Sequence, residues 1–227
     1  MEKIVALLIA VHAIGDFALQ PDWLAARKRH PVWLLLHAVI HALLAYVVLQ
    51  AWTCWQAPVA VLVAHGIIDW IKPRLPDSAK WFTIDQAVHA LVLLVIAWWL
   101  VRYGILPRFD GIAYKPIVFI GGLIFTVLGA GFLVGKFARR LIEENQLQLD
   151  GLDNGGKWIG RFERALIFVF IFIDQPTGIG FLVAAKSILR FEEAKQQKLA
   201  EYVLIGTLLS FSLAIALSSL TKWAMNL

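Results

Sequence analysis

Ile4-Val-Ala-Leu-Leu-Ile-Ala-Val-His12-Ala-Ile-Gly-Asp16 is the stretch on which the fold turns. Eight apolar residues run without interruption into a histidine, and an aspartate follows four positions later. A spacing of four puts both side chains on one helix face, one turn apart. The pattern recurs three times, as His37 and His41, His65 and Asp69, and Asp85 and His89, each inside an otherwise apolar segment. An ionisable side chain within a membrane segment costs several kcal/mol, by order of magnitude, unless it finds a partner. Eight such groups in one register read as a shared site.

The chain around these pairs has 227 residues, 60% of them hydrophobic and only 16% charged, with a mean hydropathy of +0.73. So few polar residues could not cover a soluble surface, and the composition is that of a polytopic membrane protein. Trp23, Trp33, Trp52, Trp55, Trp70, Trp81 and Trp223 fall near segment ends, where indoles favour the membrane–water interface. Cys54 is the one cysteine and excludes an internal disulfide. The net charge of +5 sits in short loops between apolar runs, which argues for bilayer orientation and against nucleic acid as a partner. His12 and Asp16 interrupt the first apolar run, so it reads as a retained helix and not as a signal peptide.

A spanning helix needs about 20 residues. The candidates are 3–20, 32–51, 57–72, 81–102, 115–135 and 202–221. The first four make a transmembrane domain over 1–104, and 105–227 form a C-terminal membrane region. Arg27, Lys28 and Arg29, then Lys72, Arg74 and Lys80, mark the basic loops, whereas 52–58 carries no charge. This distribution puts the N-terminus outside and the basic loops in the cytoplasm. Arg102, Arg108 and Lys115 run counter to that orientation. Residues 138–149 read as an amphipathic helix on the cytoplasmic face. Two short apolar runs flank Asp174-Gln-Pro-Thr-Gly178, and each is too short for the ~30 Å hydrocarbon core; 160–191 is therefore expected to re-enter as a hairpin, with a full span at 162–185 as the alternative. Glu163 beside Arg164 is either a buried ion pair anchoring that hairpin or an interfacial charge. Lys186, Ser187 and Arg190 read as a solvated helix end or as a holder of an anionic head group. Gly131 and Gly135 form a G-x-x-x-G suited to close helix packing or a homo-oligomer contact.

In this topology the first and third helices carry their pairs near the cytoplasmic end, and the second and fourth carry theirs in their first turns. All four pairs then lie at one depth, in the cytoplasmic third. The expected architecture is an all-α membrane bundle whose four-helix core holds one polar layer, a common place for metal sites. His12, Asp16, His37, His41, His65, Asp69, Asp85 and His89 are the candidate ligands. Five imidazoles and three carboxylates suit a divalent metal, zinc first, with manganese or iron as alternatives. Some would orient the others, since a ligating histidine usually donates its second N–H to an acceptor. A purely hydrogen-bonded His–Asp network is the competing reading. Gln20 extends the His12/Asp16 stripe by one turn, while Gln86 points elsewhere on its helix.

The stretches His12-Ala-Ile-Gly-Asp16-Phe-Ala-Leu-Gln20, Leu36-His37-x-x-x-His41, His65-Gly-Ile-Ile-Asp69 and Asp85-Gln86-x-x-His89 resemble a bacterial membrane family of unknown function, domain-of-unknown-function family 3307. The resemblance covers roughly the first hundred residues. Gly160-Arg-Phe-Glu-Arg164, Gly178–Ser187 and Glu201–Thr207 are similar to longer members. The family implies no activity. A looser similarity is to membrane-bound metal-dependent hydrolases, by analogy only.

Three functions compete. In an intramembrane hydrolase the histidines hold the ion, and Asp16, Asp69 and Asp85 share ligation and the general-base role, on a lipid or lipid-linked substrate. A structural or sensing role needs only a closed metal site. Metal transport needs polar groups across the whole membrane, yet Ile4–Val11, Ala42–Val48, Val59–Ala64 and Ala90–Leu100 hold no ionisable side chain.

Overall fold

A computed structural model describes residues 1–106, 109, 111, 113–147, 152, 154–189 and 197–227. The described residues are helical, turn or irregular, with no strand among them. Helices α1 (Glu2–Phe17), α2 (Asp22–Arg27), α3 (Pro31–Leu49), α4 (Gln56–Ile71) and α5 (Ala79–Arg102) precede α6 (Tyr114–Ile124) and α7 (Ala130–Asn145). Then come α8 (Gly155–Phe172), α9 (Thr177–Leu189) and α10 (Gln197–Ala224). Local chemistry explains several boundaries. Pro31 opens α3, where its fixed φ suits the first turn, and the His30 ring accepts from the Val32 amide at 3.4 Å. Ser78 caps α5 by accepting from the Trp81 amide. Gln50 ends α3 in the left-handed region, at φ 51°.

Among the described residues, four helices are long and apolar enough to cross a membrane: Pro31–Leu49, Ala79–Arg102, Tyr114–Asn145 and Gln197–Ala224. The chain is that of an integral membrane protein. Two of the six expected spans fall short of the about 20 residues of a full crossing. Helices α1 and α4 have 16 residues each, about 24 Å at 1.5 Å per residue. Helix α1 stops at Phe17, so Gln20 lies beyond its end and not one turn further along its stripe.

The chain divides into two compact units, one of Met1–Phe125 with Trp223–Leu227, the other of Thr126–Lys222. In the first, α1 packs on α3 and α5, and α4 packs on the same two helices. This closes a four-helix ring with α1 diagonal to α4. Ile4, Leu7, Leu8, Val11, Ala45, Val48, Leu93, Ile96 and Leu100 fill one stretch of its interior. Helix α6 lies against α1, and a Cβ at Gly121 would overlap the Ala10 backbone, so only glycine permits this approach.

The second unit corrects three expectations. Residues 138–145 are not a separate surface helix. They continue α7, because the chain from Lys136 to Glu144 contains no helix breaker, and the helix ends only where Gln146 turns left-handed, at φ 53°. Residues 148 and 149 lie outside the described residues. Helix α8 begins at Gly155, earlier than the expected hairpin, and turns into α9 through Asp174, at φ 58°. Glu163 pairs with Lys186 across that hairpin at 2.8 Å and not with Arg164, so Lys186 is engaged within the chain. Arg190 lies outside the described residues. Arg164 instead donates Nε and Nη2 to the Val127 carbonyl (3.1 and 2.9 Å) and Nη1 to Ser210 Oγ (3.0 Å). Val127 lies in a π-helical turn, Phe125–Gly129, and such turns release carbonyls from the regular ladder. Gly131 makes room for the guanidinium, whereas nothing lies within 4 Å of where a Gly135 Cβ would stand.

Candidate metal centre

Each of the four core helices contributes one pair. None of His12, Asp16, His37, His41, His65, Asp69, Asp85 and His89 is more than 7% exposed. Their rings interlock: His41 stacks on His65 with centroids 3.7 Å apart, and His12 stacks on His89 at 4.5 Å. His65 and His89 are 4.7 Å apart, and His37 lies 4.5 Å from His41. The structure thus brings all eight side chains into one cluster.

Hydrogen bonds decide what the rings offer. His41 Nδ1–H donates to the His37 carbonyl at 3.1 Å, and His89 Nδ1–H donates to the Asp85 carbonyl at 2.9 Å. A carbonyl can only accept, so Nδ1 carries a proton in both rings, and in the singly protonated tautomer Nε2 presents a bare lone pair inward. His41 Nε2 stands 3.3 Å from Asp16 Oδ1, and His89 Nε2 stands 3.9 Å from Asp69 Oδ1. In that tautomer acceptor faces acceptor in both cases. His41 Nε2, His65 Nε2, His89 Nε2, His12 Nδ1 and Asp69 Oδ1 are all buried without a hydrogen-bond partner. Buried polar atoms are normally satisfied, and several orphans converging call for an explanation. A cation among them would supply one.

Three overlapping donor sets have ligand atoms all within 4.8 Å of one another: His12, Asp16, His41 and His65; Asp16, His37, His65 and Asp69; and Asp69, Asp85 and His89. A tetrahedral zinc with ligands about 2.1 Å away would separate them by roughly 3.4 Å, which small side-chain shifts supply. His37 Nε2–H donates to Asp16 Oδ1 at 3.0 Å and so orients that carboxylate.

Four participants were not foreseen in the pairs. Gln86, expected to point away, bridges the cluster: its Nε2 donates to Asp85 Oδ2 at 3.1 Å, and its Oε1 lies 3.3 Å from His12 Nε2. Its long side chain reaches across the angle that separates adjacent helical positions. Lys28, read from the sequence as a loop charge, is 7% exposed and places Nζ 2.6 Å from Asp69 Oδ2. Lys72 places Nζ 2.7 Å from Asp85 Oδ2 and 4.0 Å from Asp69 Oδ1. Its spacing of three from Asp69 was a usable signal; Lys28 had none. Gly15 is the fourth, because a Cβ there would overlap the His41 ring. The glycine between His12 and Asp16 lets the imidazole of α3 lie directly on α1.

No curated protein and no solved structure matches the chain. The family model described as "Protein of unknown function (DUF3307)" matches residues 4–106, which span all four pairs, the bridging Gln86 and both lysines. Over residues 4–106 the chain is similar to that family.

Proposed function

We propose that this cluster is the centre of an intramembrane metal-dependent hydrolase acting on a lipid or lipid-linked substrate near the cytoplasmic leaflet of a bacterial inner membrane. One observation carries the reading: His41 and His89 have their Nδ1 protons committed to main-chain carbonyls, while their Nε2 atoms, buried without a hydrogen-bond partner, face carboxylate oxygens. This is the arrangement expected of metal-ligating histidine. His12, Asp16, His41 and His65 would hold the ion, with His37 orienting Asp16. A bound zinc-type ion supplies Lewis acidity and lowers the pKa of a water to about 7. Asp69 retains a free Oδ1 beside His89 and would take the proton as general base. With the N-terminus outside, Trp23, Trp70 and the basic loops stand at the cytoplasmic interface, within reach of head groups.

Burial favours a second reading, a structural or sensing centre. All eight side chains are closed off, and two lysines cap the carboxylates; closed sites are the structural kind. Transport fits poorly, because packed aliphatic side chains plug the bundle beyond the cluster.

Elemental analysis of detergent-purified protein, beside His41→Ala and Asp85→Ala, tests the reading. Stoichiometric metal in the wild type and at least a tenfold loss in His41→Ala support it; equal metal in all three sinks it. Hydrolysis of lipid phosphates and lipid esters by the loaded protein separates the hydrolase from the sensor, for which no turnover is expected.

A further inference from the structure

The donor sets at the two ends of the cluster, His12/Asp16/His41/His65 and Asp69/Asp85/His89, share no residue. On donor chemistry alone they could take two ions side by side. Their charge environments differ, however. Among the described residues, the ion-pair partners of Asp16 are the four imidazoles of His12, His37, His41 and His65. The carboxylates of the other set also meet imidazoles but are in addition held by ammonium groups: Lys28 on Asp69 Oδ2 at 2.6 Å and Lys72 on Asp85 Oδ2 at 2.7 Å. Lys72 also approaches Asp69 Oδ1, at 4.0 Å.

We infer that Lys28 and Lys72 together fill the second cation position, so that the centre takes one divalent ion, at His12, Asp16, His41 and His65. This rests on the metal reading proposed above and adds to it the number of ions and the role of two residues.

Charge accounting supports the inference. Three carboxylates against two ammonium groups leave one negative charge among neutral imidazoles. One divalent ion turns this to one positive charge, which a single anionic ligand neutralises. A second divalent ion beside both lysines would leave three positive charges in a site where every donor is buried, a heavy penalty in low dielectric. Two ammonium groups carry the charge of one divalent ion. Removing them should therefore open the Asp69/Asp85/His89 set to a metal without altering the net charge of the loaded site. In a two-metal hydrolytic site the second ion stabilises developing negative charge; the two ammonium groups bring the same positive charge to the carboxylates that ion would bind.

The test is metal stoichiometry in purified full-length protein equilibrated with zinc and, separately, manganese, then freed of loosely bound ions. The wild type is expected to hold one ion per chain. Lys28→Met/Lys72→Met is expected to hold two, and Lys28→Arg/Lys72→Arg, which keeps both charges, to hold one. Two ions in the wild type would overturn the inference without any variant, so misfolding of the methionine protein cannot shelter it. A folded, monodisperse methionine variant that still holds one ion would overturn it while leaving the metal reading intact. A wild type without metal would overturn both.

Discussion

The two compact units bury charge in opposite ways. In the second, the Arg164 guanidinium is satisfied by neutral acceptors, the Val127 carbonyl and Ser210 Oγ, with glycine clearing its space. Each of its nitrogens is engaged by the protein. In the first, three carboxylates, five imidazoles and two lysines crowd together, yet several lone pairs remain unanswered. A buried charge that only holds helices together is fully bonded, because each orphan costs about 1–3 kcal/mol. A cluster that keeps its orphans is what the metal reading proposed above rests on.

Removing a central carboxylate should break this contrast most severely. Asp16→Ala deletes the oxygen faced by His37, His41 and His65, and metal affinity measured by competition with a chelating dye is expected to fall at least about 100-fold. Gly15→Ala comes next. The added methyl displaces the His41 ring, so a loss of about 10- to 100-fold is expected, with helix content by circular dichroism unchanged. The converse case is Arg164→Met, which should leave metal content at the wild-type level while lowering stability in detergent by about 2 kcal/mol, through the abandoned Val127 carbonyl and Ser210 hydroxyl. Metal loss in that variant would erase the distinction between the units. Gln86→Leu sharpens the comparison on a smaller scale: cutting the bridge between His12 and Asp85 should weaken metal binding about tenfold. Glu163→Gln, at the partly exposed pair with Lys186, should cost no more than about 1 kcal/mol of thermal stability and no metal.

Much of the cluster was legible from spacing. His12/Asp16 and its three counterparts are local facts about one helix each, and a four-residue interval fixes a shared face whatever the surroundings. Apolar length then marked the helices, though less surely where α1 and α4 stop after 16 residues. The surface helix expected at 138–149 failed for a related reason. Amphipathic character says which face is polar but not where the preceding helix ends, and nothing in Lys136–Glu144 stops it. Gln86 was misplaced because direction on a helical wheel describes Cβ, and a glutamine amide lies far beyond it.

From the sequence alone came a greasy helical chain with four polar pairs, since hydropathy and helical periodicity act over a few neighbouring residues. Only the tertiary structure could show that α1 lies diagonal to α4, that α2 and the turn after α4 carry Lys28 and Lys72 back onto Asp69 and Asp85, and that Gly15 admits His41. Those features depend on how loops return and how closely backbones approach. Such quantities are set by the packing of the whole bundle, and apart from the three-residue step from Asp69 to Lys72 no interval along the chain encodes them.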